Sequence, residues 1–124
     1  MTTQQETAPG VPDPEPLVSA VIYADHQLRI THRSGPNLAV VQLIGEIDVT
    51  NTTGVAAALA RAWRGGELLD VDVARLSFVD VRGLGMLAGL CREGWVRLTT
   101  VPPHMRRLAR LLDLEGQMLG SRPH

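Results

Sequence analysis

Strand-like and helix-like segments alternate along this chain, and the alternation restricts the fold more than any other feature of the sequence. Short runs rich in Val, Leu and Ile are each followed by a stretch with apolar residues three or four positions apart. The predicted order is strand, helix, strand, helix, strand, helix over 38–45, 49–64, 68–79, 83–93, 95–101 and 104–114. Successive strands joined by helices run parallel to one another. The sequence therefore predicts an α/β fold with a largely parallel sheet.

The residues before this alternating region predict an antiparallel edge of the same sheet. Residues 17–33 have the spacing of extended chain, and Ser34 to Asn37 carry a turn signal. We expect this run to form a hairpin with the strand at 38–45. The sheet is then mixed and four- to five-stranded, and we expect the helices to pack mainly on one of its faces.

The length of 124 residues indicates one domain, which we assign to residues 17–119. Residues 1–16 contain four of the eight prolines and Val11 as their one large aliphatic side chain. Such a segment buries too little apolar surface to offset the entropy of ordering it. We therefore expect residues 1–16 and 120–124 to be disordered.

The composition argues against several functional classes. A net charge of −1 gives no electrostatic reason for binding nucleic acid. No apolar run approaches the 18 or so residues that a membrane-spanning helix needs, and the N-terminus lacks the pattern of a signal peptide. One cysteine, Cys91, leaves no disulfide framework within the chain. These features predict a cytoplasmic protein that does not insert into a membrane.

The stretch LSFVDVRGLGML, residues 76–87, predicts a buried strand that ends at Asp80 and is followed almost at once by a helix. Such a junction favours anions, because free N–H groups and the positive end of the helix converge there. Yet no residue between Asp80 and Gly85 carries a hydroxyl, thiol or imidazole group. On this helix Leu84 belongs to the face that we expect to pack on the sheet, and Met86 to the opposite, exposed face.

A second acidic junction follows the strand at 38–45, where Asp48 precedes a predicted helix that Thr50 or Asn51 can cap. Both strand-to-helix junctions can open on one edge of the sheet, so Asp48 and Asp80 are expected to be neighbours. Two carboxylates can perform acid–base chemistry, but no histidine and few aromatic residues are near to build a substrate pocket. The four histidines lack metal-ligand spacing. We therefore expect neither an enzyme nor a metal or cofactor site.

Three segments together resemble the STAS domain of bacterial anti-anti-sigma factors: VVQLIGEIDVTN, LLDVDVARLSFVDVRGLGML and RLTTVPPHMRRLARLLDLEG. The resemblance implies a STAS-like fold, here shortened at the C-terminus, that binds an anti-sigma factor of the serine-kinase type. In the family pattern, Asp-Ser-Ser/Thr-Gly-Leu-Gly, phosphorylation of the first Ser dissolves the complex. Val81 occupies that position here and Arg82 the next, so the resemblance implies binding without a phosphorylation switch.

The resemblance also implies where the partner binds, since the family's recognition acid corresponds to Asp48. The predicted partner-binding residues are Asp48, Thr50, Asn51, Asp80, Val81, Arg82, Gly83, Leu84 and Met86. Surface left open by the short C-terminus could also be covered by a second copy, as a homodimer.

Two other functions remain open from the sequence. An accessory STAS subunit of a transporter ATPase would use the same helix face. A small nucleotide-binding or phosphotransfer protein would use the backbone amides at Gly83 to Gly85, although this stretch lacks the spacing of a dinucleotide or P-loop motif.

Overall fold

The computed structural model describes residues 18–35 and 38–118. The segments expected to be disordered, 1–16 and 120–124, lie outside the described residues. So do the expected first and last residues of the domain, Leu17 and Leu119, and two residues of the expected turn at 34–37.

Five strands form one sheet with the order β1-β2-β3-β4-β5. Their bounds are β1 Val18–Ala24, β2 Leu28–Gly35, β3 Leu38–Ile47, β4 Leu69–Val79 and β5 Val96–Thr99. The first three strands are antiparallel neighbours, whereas β3, β4 and β5 are parallel. The mixed sheet expected from the strand–helix alternation is confirmed.

The parallel strands are connected by helices, and two further helices complete the described chain. Their bounds are α1 Thr52–Ala62, α2 Val81–Glu93, α3 Pro103–Leu111 and α4 Glu115–Met118. One hydrophobic cluster joins a single face of the sheet to buried residues of all four helices, which explains the amphipathic spacing of the sequence. No helix in the described part of the chain is long and apolar enough to span a bilayer.

The expectation of one extended run over residues 17–33 was wrong, because this region contains two strands. The chain reverses at Asp25, whose Oδ1 accepts hydrogen bonds from the N–H groups of Gln27 at 2.7 Å and Leu28 at 2.8 Å. An aspartate side chain can close a turn in this way without glycine or proline. The usual turn signals were therefore missing from the sequence.

A pocket of about 450 Å³ lies at the end of the sheet where β3 and β4 begin, with Val18, Trp63 and Leu68 among its lining residues. The ring centroids of Trp63 and Trp95 are 5.1 Å apart. This pocket lies at the opposite end of the sheet from the two acidic junctions, so it is not part of the site predicted from the sequence.

Candidate functional site

The two strand-to-helix junctions lie side by side at one edge of the sheet. Ile47 and Val79 are register partners on the parallel strands β3 and β4, and the N–H of Asp80 donates to the carbonyl of Ile47 at 3.1 Å. Asp48 and Asp80 directly follow these paired residues. The sequence-based expectation that the two acids are neighbours is thus confirmed.

At the β4–α2 junction, Asp80 holds the start of the helix. Its Oδ1 accepts a hydrogen bond from the N–H of Gly83 at 2.8 Å, which satisfies one of the free donors of the first turn. A Cβ atom on Gly83 would lie 2.7 Å from Ile47 Cγ2 and 2.9 Å from Val79 Cγ2. The absence of a side chain therefore lets α2 begin close against the ends of β3 and β4.

The first two side chains of α2 point to solvent. Val81 is 56% exposed, and Arg82 is exposed as well. A Cβ atom on Gly85 would meet nothing within 4 Å, so the backbone of the next turn is also open on this side. The capped turn thus presents an aliphatic and a cationic side chain.

At the β3–α1 junction, Asn51 holds the loop from inside. Its Oδ1 accepts from the N–H of Asp48 at 2.9 Å, and its Nδ2 donates to the carbonyl of Glu46 at 3.0 Å and to Asp25 Oδ2 at 3.2 Å. Asn51 does occupy the N-cap position of α1, but its side chain makes no hydrogen bond to the first turn of this helix. Thr50 does not cap either, since its hydroxyl donates to Asp48 Oδ1.

The β1–β2 turn is the third part of this edge, and sequence analysis did not identify it. Asp25 Oδ2 accepts from the Tyr23 hydroxyl at 2.6 Å as well as from Asn51. The carbonyl of Gln27 accepts from the N–H of Glu46 at 2.9 Å. The turn therefore supports the β3–α1 loop from the side, although the two bonded residues are more than twenty positions apart in the sequence.

We give the name junction surface to the half-buried Asp48 together with the exposed side chains of the two neighbouring junctions. It consists of Asp48, Val49, Thr50, Val81 and Arg82. Val49 is 58% exposed and was missed, because a single valine between Asp48 and Thr50 carries no periodic signal. Val49 and Val81 are the large apolar side chains that the two junctions expose to solvent.

Three residues predicted to bind a partner are buried, which corrects their role. Leu84 is 0% exposed and Asn51 is 2% exposed, while Gly83 is enclosed between α2 and the sheet. They shape the junctions without offering side chains to a partner. The expected exposure of Met86 was also wrong, because this flexible side chain is half-buried and packs against the core.

The carboxyl groups of Asp48 and Asp80 each accept hydrogen bonds from backbone N–H groups at the junctions. The hydrogen bond from the Thr50 hydroxyl is the largest cause that lowers the pKa of Asp48, and the charge of His26 lowers this pKa further. The Asp80 side chain is engaged in capping α2. Within the described residues no group of three or more His, Cys, Asp or Glu side chains is arranged to hold a metal ion.

The hydrogen bond between Tyr23 and Asp25 makes the stability of this edge of the sheet depend on pH. The hydrogen bond from the Tyr23 hydroxyl is the largest cause that holds the Asp25 pKa at about 2, below its usual 3.8. Because the pKa in the folded state is the lower one, this contact stabilises the fold above about pH 4 and loses that effect as the pH falls towards 2.

We expect Tyr23→Phe to raise the Asp25 pKa back towards 3.8, as measured by NMR titration of the carboxyl carbon. Ser77→Ala is the matched control, since its hydroxyl donates to the Gly45 carbonyl instead. An unchanged Asp25 pKa in Tyr23→Phe would contradict the assignment.

Comparison with known proteins supports the resemblance seen in the sequence. The family model described as "Mlab, STAS domain" matches residues 30–120. A search of the curated proteins finds no significant match. Among solved structures, the anti-sigma factor antagonist SpoIIAA in its unphosphorylated form is 27% identical with a TM-score of 0.52, over 65% of this chain and 76% of that one.

An anti-sigma factor antagonist from Mycobacterium paratuberculosis is 21% identical with a TM-score of 0.57, over 87% of each chain. At this identity the likeness concerns the fold alone. The family match covers most of the chain, including most of β2, the strands that follow it and the capped β4–α2 junction. This chain therefore belongs to the STAS domain family.

Proposed function

We propose that this protein is a non-catalytic, protein-binding regulator of bacterial transcription that works in the cytoplasm as an anti-sigma factor antagonist. Its anti-sigma factor, of the serine-kinase type, docks on the junction surface. The family match and the likeness to two antagonists support this proposal. The observation that carries it is the placement of Val81, 56% exposed at the first position of a capped helix beside the β3–α1 loop.

The proposal includes the loss of a phosphorylation switch at this position. A phosphate group would add a charge of about −1.5 to −2 to the centre of the docking surface. Valine has no oxygen to accept it, so Val81 keeps the turn uncharged. Burial of an exposed valine instead stabilises a complex, by about 25 cal/mol for each Å² of apolar surface removed from water.

Arg82 sets a requirement for the partner. Its guanidinium group is exposed, and no salt bridge to it occurs among the described residues. Transfer of this charge into a contact is costly unless a carboxylate of the partner pairs with it. We therefore infer an acidic residue on the anti-sigma factor opposite Arg82 and an apolar one opposite Val49 and Val81.

The proposal is tested with Val81→Asp in a binding assay against a serine-kinase anti-sigma factor from the same host. We expect about a thirtyfold weaker complex, or about 2 kcal/mol, because the new charge must be desolvated at the contact. An aspartate at the first turn of a helix does not disturb folding, since it interacts favourably with the helix dipole. Binding is measured by titration calorimetry.

Leu111→Asp is the matched control, because it places the same charge on an exposed residue at the far end of α3, outside the junction surface. Val81→Thr, which keeps the shape without a full charge, should bind almost normally. Equal affinity of Val81→Asp and Leu111→Asp would contradict docking at the junction surface.

The loss of the switch is tested by adding ATP to the preformed complex with the same kinase. We expect the natural protein to stay bound without taking up phosphate, whereas Val81→Ser is phosphorylated and released. Phosphorylation of the natural protein at Thr50 or Ser77 with release would refute this part of the proposal. A stable complex with a transporter ATPase subunit, with no binding to any anti-sigma factor, would favour the accessory-subunit function. A rise in melting temperature with nucleotide would favour the phosphotransfer class.

A further inference from the structure

Strand β1 forms an edge of the sheet that no other described strand covers. It comprises seven residues, VSAVIYA, and its one strand neighbour among the described residues is β2. Val18 is 64% exposed and Val21 is 57% exposed. The outer side of such a strand carries a row of N–H and C=O groups that can pair with another strand.

Within Val18–Ala24, this edge lacks most of the sequence features that prevent pairing between strands. Proteins protect edge strands with charged side chains, proline, bulges, shortening or a covering segment. β1 contains no charged residue, proline or glycine. A bulge between Val21 and Tyr23 interrupts the ladder to β2 near the end of the strand, which leaves Val18 to Val21 as the regular part.

The other edge of the sheet is protected. β5 carries a charged side chain, the exposed Arg97, which pairs with Asp70 at 2.8 Å. Pairing of β1 with β5 of another molecule would be a head-to-tail contact that extends without closing. Pairing of β1 with β1 of a second copy uses the same surface twice and closes as a dimer.

We propose that two copies of this chain pair antiparallel through β1 around a two-fold axis at Ala20, so that the two five-stranded sheets form one ten-stranded sheet. Ser19 and Val21 lie opposite Arg33 and Thr31 of β2, on the sheet face away from the core residue Ile30. In this register Ser19 of each copy faces Val21 of the other. The uncharged strand brings no like charges together across the axis.

The dimer leaves the proposed function intact, and the two proposals stand or fall separately. β1 runs parallel to β3, because each is antiparallel to β2. An antiparallel copy therefore directs its junction surface to the opposite end of the assembly. Each dimer presents two separate junction surfaces.

The test uses the full chain in sedimentation equilibrium across a wide dilution series. We expect the natural protein to approach the dimer mass as its concentration rises. Ser19→Lys combined with Val21→Lys places two pairs of like charges opposite one another. We therefore expect the dissociation constant of the dimer to rise by about tenfold or more. Ser19→Lys combined with Val21→Glu makes both pairs complementary and should restore the dimer.

The two double variants change the same exposed positions and differ by one residue, so each serves as the folding control for the other. A dimer for the natural protein and for the Lys–Glu variant, with a weakened Lys–Lys variant, supports the proposal. It is overturned if the natural protein is a monomer at every concentration. It is also overturned if the Lys–Lys variant dimerises normally, or if both double variants dissociate alike.

Discussion

Gly45→Ala is expected to lower the free energy of unfolding by about 4 kcal/mol, because it combines backbone strain with a steric clash. Gly45 has a φ of +123°, which residues with a Cβ atom rarely adopt. An added Cβ would also lie 2.1 Å from the carbonyl oxygen of Gln27, which is backbone and accepts from the N–H of Glu46. Alanine therefore has to push the β1–β2 turn away from β3.

The measurement is urea unfolding followed by circular dichroism, with Gly85→Ala as the matched control. Gly85 lies in α2, and an added Cβ there meets nothing within 4 Å. That substitution should raise stability by about 0.5 to 1 kcal/mol, because alanine is the better helix former. A cost below about 1 kcal/mol for Gly45→Ala would show that the β1–β2 turn does not press on β3.

Asn51→Ala is expected to lower the free energy of unfolding by about 3 kcal/mol, which is the second large effect. The substitution removes all three hydrogen bonds of the side chain and leaves the N–H of Asp48 and the carbonyl of Glu46 without these partners. The site is 2% exposed, so water cannot fully replace the lost contacts. We also expect altered NMR shifts in both the β3–α1 loop and the β1–β2 turn.

Asn51→Asp separates the roles of the two amide atoms. A carboxylate can still accept from Asp48 N–H, but it cannot donate to Glu46 and it places a second negative charge beside Asp25. We expect it to be destabilising as well, and to recover in part when Asp25→Asn removes the repulsion. Thr53→Ala, at an exposed position on the first turn of α1, should cost far less. Equal losses for Thr53→Ala and Asn51→Ala would contradict the role given to Asn51.

Features set by local periodicity could be predicted from the sequence. The alternation of strands and helices, the proline start of α3 and the glycine end of α2 all follow from neighbouring residues. The closeness of the two junctions follows from parallel connectivity. The exposure of Val81 is a consequence of its position at the start of a helix whose buried stripe begins at Gly83 and Leu84.

Features that depend on distant contacts could not be predicted. Asparagine is a common residue type at helix caps, so the sequence did not indicate that the Asn51 side chain donates to Asp25, which lies 26 residues earlier in the chain. The chain reversal at Asp25 depends on hydrogen bonds to the Asp25 side chain, and no glycine or proline in this stretch indicates a turn. Met86 belongs to the outer face by helical angle, yet its flexible side chain lies back against the core.

At the capped β4–α2 junction, one pair of residues sets the backbone geometry and another pair sets the chemistry of the exposed surface. Asp80 and Gly83 fix the backbone through a hydrogen bond and a close approach, whereas Val81 and Arg82 add side chains that the fold does not use. Exchange of these two residues should therefore cost almost no stability, and under the proposed docking it would change which partner is recognised. A cell with several such domains could insulate one signalling route from another by two side chains on an unaltered scaffold.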